Sequence, residues 1–117
     1  MVTSEAELRA ARAAGTLWTG GEGYVGSTNQ PQLYQIPFWA LLPARAGATN
    51  LASPTAPSAS HVTFASLRVE PQYMIMGQAA GALLTLSAGA GVAAQDVDAG
   101  ALHAALAAQG AVLCHRC

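Results

Sequence analysis

One stretch of the chain brings a histidine, an arginine, a glutamate and three serines together ahead of a helix. Between Ser58 and Glu70 stand three serines (Ser58, Ser60, Ser66), His61, Arg68 and Glu70, immediately ahead of Pro71. A proline suits the first turn of a helix, where its missing N–H costs nothing. A cluster of this kind could bind an anion or a polar ring, with Arg68 as charge partner and the helix N-terminus as a dipole. It could equally be a plain capped loop in which Arg68 pairs with Glu70, and the residues alone do not choose. Two other patterns carry less. Gly21, Gly23 and Gly26 spell G-x-G-x-x-G, but Ser27-Thr28-Asn29-Gln30-Pro31 follows where a dinucleotide fingerprint needs a helix. Cys114 and Cys117 form a C-x-x-C pair in the last residues of the chain, and neither His61 nor His103 has the spacing that would complete a tetrahedral metal site with them, so no metal ligands are assigned.

The elements around the cluster are readable in outline. Ser4 and Glu7 fit a capping box for a helix over about 5–14 that Gly15 stops. From Thr16 to Gln32 the chain is loop-like, with a short strand at 17–19. Leu33–Leu42, broken by Pro37, suits two short strands or one bent edge strand. Ala44–Pro57 is loop with a short strand near Leu51. A long helix runs from Pro71 through Ala88 to a stop at Gly89 and Gly91, and a final helix begins after Asp98 as cap and ends at Gly110. A strand over 111–113 closes the chain.

Composition bounds the function. The 117 residues are 52% hydrophobic and 9% charged, with a formal net charge of −1. That suits a single folded unit and gives no electrostatic footprint for nucleic acid. The basic side chains are all arginine, which excludes a lysine Schiff base and a P-loop. From Pro71 to Gln95 no residue is charged, and Gly77 and Gly81 form a GxxxG pair. The many alanines, glycines and polar residues of that run argue against a membrane span and for a buried helix whose glycines admit another backbone. No secretory leader is readable at the N-terminus, so the expected location is the cytoplasm.

A longer pattern runs through these residues. Tyr34-Gln35-Ile36-Pro37-Phe38, Leu42-Pro43, Asn50-Leu51, Ser58-Ala59-Ser60-His61-Val62, Ser66-Leu67-Arg68-Val69-Glu70-Pro71 and Met76-Gly77-Gln78-Ala79-Ala80-Gly81 follow one another in an order that resembles the C-terminal segment of a bacterial FAD-dependent oxidoreductase family, sometimes described as xanthan lyase related. Asp96-Val97-Asp98 and the stretch from Leu102 to Leu113 continue the likeness, which covers about 22–113.

The resemblance implies a mixed α/β fold: an incomplete C-terminal portion of a Rossmann-type FAD-binding domain with part of its substrate domain, about three helices and a few short strands. It divides one partial domain into an N-terminal helix and loop (1–21), substrate-domain-like strands (22–47), the FAD-domain segment (48–113) and a tail (114–117). Asn50-Leu51 would be the last strand of the nucleotide-binding sheet, although Pro54 and Pro57 oppose a regular strand. Ser60, His61, Ser66 and Arg68 would lie near the isoalloxazine or substrate, with His61 or Tyr34 handling a substrate proton. Gly77 and Gln78 would lie in the first turns of a helix whose N-terminus faces the flavin pyrimidine. FAD is the implied cofactor. The strand, glycine loop and acidic residue that hold its ADP half are missing from this pattern, so the implied partner is an N-terminal FAD-binding portion or another chain, without which the segment would be inactive. The alternative is a small non-catalytic interaction domain that docks through its Ala/Gly-rich helix.

Overall fold

The computed structural model describes residues 22–27 and 30–113. Strands β1 (Glu22–Ser27) and β2 (Gln30–Gln35) pair antiparallel, with Gly23 opposite Tyr34 and Gly26 opposite Pro31. A 3₁₀ turn over Phe38–Leu41 follows, then a long loop, then helices α1 (His61–Leu67), α2 (Glu70–Ala90) and α3 (Ala99–Ala108), with a second 3₁₀ turn over Ala94–Asp96 between the last two.

Helix α2 is the centre of the packing. Its buried residues are Gln72, Met76, Ala79, Ala80, Leu83 and Ser87, a spacing that keeps to one face of a helix. The N-terminal half of that face packs with Ile36, Leu41 and Leu67. The C-terminal half packs with Leu42, Ala94, Val97, Leu102, Leu106 and Leu113. One helix thereby joins the 3₁₀ turn, α1 and α3.

The ends of the helices are fixed by local chemistry. Gly91 has φ of 64°, and α2 closes there with Gly91 N–H donating to Ala88 O and Val92 N–H to Ser87 O, the paired bonds of a Schellman motif. The Ser87 hydroxyl donates to Val92 O at 2.7 Å, tying the same turn from the buried side. Asp98 caps α3 by accepting from Ala101 N–H at 2.7 Å. Gly110, with φ of 78°, repeats the C-terminal closure through bonds to Ala107 O and from Ala111 N–H to Leu106 O.

This architecture overturns the expected α/β class. The described chain is helical, with three α-helices and one isolated antiparallel hairpin; the parallel sheet and scattered short strands of a Rossmann-type portion are not there. The segment near Asn50-Leu51 is not a strand: Leu51 is exposed, and nearby backbone groups are tied to the 3₁₀ turn by Ser53 N–H to Leu41 O and Ser58 N–H to Ala40 O. Pro54 and Pro57 lack the N–H groups that a ladder would need there. Residues 111–113 form no strand either; Leu113 is buried against α2 while Val112 stays exposed. Pro37 ends β2, and the rest of the expected strand over 33–42 winds into the 3₁₀ turn. The expected helix over 5–14, the strand at 17–19, Gly21 and the cysteine pair lie outside the described residues.

Candidate functional site

The polar cluster is organised by α1 and its junction with α2. Ser60 is the N-cap of α1: its Oγ accepts from Thr63 N–H at 3.4 Å and donates to Thr63 Oγ1 at 3.0 Å. Thr63 is fully buried, and Ser66 Oγ donates to its carbonyl at 2.7 Å. Both serine hydroxyl protons are therefore committed inside α1. What Ser60 retains for a ligand is acceptor capacity.

His61 is exposed at the first position of α1, and Arg68 is exposed at its C-cap. The structure thus puts Ser60 and His61 at one end of α1 and Ser66 and Arg68 at the other, roughly 10 Å apart along the axis. Only Val69 separates Arg68 from α2, where Glu70 is exposed in the first turn. Among the described residues Arg68 and Glu70 form no ion pair; the described ion pair joins Arg45 to Asp96. Tyr34 lies in β2 opposite Gly23, and β1 runs beside α1. Gly77 and Gln78 stand about two helical turns in from Glu70, roughly 10 Å along α2. Gln78 is exposed and donates to Gln109 Oε1 at 3.1 Å.

The α2 N-terminus itself offers few donors. Pro71 has none, Gln72 and Tyr73 both donate to Val69 O, and Val69 donates to Leu67 O. The Glu70 N–H remains, next to its own carboxylate. A phosphate would find little there, whereas a neutral polar ring would meet the helix dipole without competing for charge. In the same turn Gln72, only 4% exposed, has its Nε2 buried without an acceptor. Sequence reading missed this residue, though a signal existed: a glutamine four positions before Met76 stands on the helix face that Met76, Ala79, Ala80 and Leu83 make apolar.

The loop preceding α1 is clasped from the other side. Arg45 donates both terminal nitrogens to Asp96, at 2.5 and 2.6 Å. Gln95 Nε2 donates to Pro43 O and Ala48 O, and Ala94 N–H to Thr49 O. The hydrogen bonds from Arg45 hold the Asp96 carboxyl below its ordinary value. Because the folded value is depressed, the pair stabilises the fold above the unfolded carboxylate range and loses that contribution as pH falls through the folded value. Urea midpoints should therefore favour wild type slightly over Asp96→Asn near neutrality and converge below the ordinary carboxylate value of 3.8; the effect is small because both side chains are exposed.

Among the described residues no other backbone approaches Gly77 or Gly81. A Cβ built at either meets no atom within 4 Å, because the buried face of α2 lies elsewhere on the helix. Gly77→Ala and Gly81→Ala should each raise stability by about 0.5–1 kcal/mol through helix propensity alone, read as a higher urea midpoint; a loss would mean that something packs there.

A family model described as FAD dependent oxidoreductase matches residues 10–106. The chain belongs to that family, and FAD is the cofactor the family implies. No curated protein and no solved structure matches the chain. Among the described residues no helix is long and apolar enough to cross a membrane, and no group of three His, Cys, Asp or Glu side chains could hold a metal ion.

The described residues fit one end of FAD. The α1–α2 junction, with its dipole and its unpartnered Gln72 amide, suits the neutral pyrimidine edge of a flavin. The ADP half has no counterpart among them: Gly23 and Gly26 lie in an antiparallel hairpin, not in a strand-to-helix turn facing a pyrophosphate.

Proposed function

We propose that this segment forms the flavin-edge and substrate-side wall of an FAD-dependent oxidoreductase of the bacterial, xanthan-lyase-related kind, while the ADP half of the cofactor is held by another portion of polypeptide. On this reading the segment does not turn over by itself. The observation that carries it is the family match over residues 10–106. Bound FAD would accept a hydride equivalent from substrate and pass electrons onward. The chain's own residues then divide the remaining work. His61, open to solvent at the start of α1, takes or returns a substrate proton, with Tyr34 as the other candidate. Arg68 holds a negatively charged substrate group. The α2 dipole favours negative charge on the pyrimidine edge when the flavin is reduced. Ser60 orders the start of α1, and through it His61.

The test is the visible spectrum of the native protein, purified from its own cells with an antibody to residues 96–110. The two-banded absorption of oxidised flavin is expected in the purified material; protein that carries none would overturn the reading.

A second reading has its own support. Met74 is 72% exposed, Ile75 is also exposed, and the uncharged outer face of α2 continues through the uncovered Gly77 and Gly81. That face suits an interaction domain, and flavin-free native protein that behaves as one stable complex would favour it.

A further inference from the structure

Among the described residues, Gln72 is the buried polar group of α2 whose hydrogen-bonding capacity the chain leaves open. Ser87, the other one, is satisfied by Val92 O. Gln72 lies on the face of α2 that also carries Met76, Ala80 and Leu83, with its Nε2 buried and without an acceptor. Exchanging the amide nitrogen and oxygen does not remove the problem, since either atom placed there is unpaired. An unmatched amide inside a protein is costly, and native structures keep few of them. Gln72 is the third residue of α2, so it belongs to the first turn, where the helix dipole is strongest.

The surroundings narrow what could complete it. Pro71 lacks an N–H, the Gln72 and Tyr73 N–H groups return to Val69 O, and Glu70 places a carboxylate in the same turn. An anion is therefore poorly served. A neutral, planar group carrying a donor beside an acceptor is well served, because a carboxamide meets it with two parallel hydrogen bonds. The pyrimidine edge of an isoalloxazine, where a ring N–H stands between two carbonyls, is such a group. We propose that Gln72 recognises the imide edge of the flavin, its Nε2 donating to a ring carbonyl and its Oε1 accepting from the ring N–H. The inference rests on the flavin-edge reading above and assigns a recognition residue to it.

The test uses the full 117-residue chain with FMN and with FMN methylated at the imide nitrogen, binding being followed by flavin fluorescence. Wild type should bind FMN about tenfold more tightly than the methylated flavin, a comparison that needs no variant. Gln72→Leu should weaken FMN binding by about the same factor and lose the discrimination, while melting at a higher temperature than wild type without flavin because the buried amide is gone. Gln72→Met serves as a second variant of similar length. Wild type that binds both flavins equally, or a folded Gln72→Leu that keeps the discrimination, would overturn the assignment and leave the flavin-edge reading standing. Wild type that leaves FMN fluorescence unchanged at saturating protein would also overturn the assignment, whereas native protein purified without flavin would overturn the reading beneath it.

Discussion

Leu83→Ala should cost about 2–5 kcal/mol of folding stability, a large share of what a domain of this size possesses. Leu83 is fully buried in the cluster where α2 meets Leu102 and Leu106 of α3, Ala94 and Val97 of the preceding turn, Leu42 and Leu113. Several of its neighbours are alanines, whose short side chains cannot move to refill the space, so the cavity term should fall toward the upper part of that range. Urea denaturation measures the loss directly. Leu51→Ala is the control: Leu51 is 53% exposed on the loop, and its change should stay within about 0.5 kcal/mol. Equal losses at the two positions would mean that α2 and α3 do not share the core described here.

The second large effect concerns chemistry. In the flavin-loaded native protein, His61→Ala should slow reduction of the flavin by substrate about a hundredfold or more, with stability nearly unchanged because His61 is exposed. Arg68→Ala should act chiefly on KM if it holds a charged substrate group, since loss of ground-state binding raises KM while kcat persists. Anaerobic stopped-flow reduction separates the two. His61 and Arg68 stand at opposite ends of α1, so their effects should be close to additive. Unchanged reduction in both variants would remove them from the site and leave Tyr34 as the candidate, for which Tyr34→Phe is the corresponding test.

What the sequence made legible is what local chemistry decides. The long helix was readable from Pro71 and Gly91, because a proline in the first turn and a glycine with positive φ just past the last act over a few residues. The Asp98 cap was readable for the same reason. Strands were not, because a strand requires a ladder partner that sequence alone does not specify. Apolar residues near Leu51 and Val112 looked like strands, yet the backbone around the first bonds to the 3₁₀ turn and the second follows a helix-closing glycine.

Helix α1 was hidden for the opposite reason. Val62, Thr63 and Phe64 are modest helix formers, and the helix stands on the Ser60 cap together with the burial of Thr63 and Leu67. The chemical cluster itself was legible as composition, but its division between the two ends of α1 follows from that unexpected helix. Gln72 and Gln95 passed as ordinary polar residues because their importance lies in what surrounds them. Gly77 and Gly81 misled in the other direction: their spacing suggested close packing, and the fold leaves them open.

If the α1–α2 junction faces the flavin, as proposed, the cofactor will protect its amides from hydrogen exchange. The native protein is compared with and without its flavin, and amide protection is followed along the chain. Flavin should slow exchange across residues 60–73, above all at the Glu70 amide, which bonds to no other residue among those described, while leaving α3 little changed. Protection confined to α3 or to the loop over residues 44–57, with none at the junction, would mean that the flavin lies elsewhere.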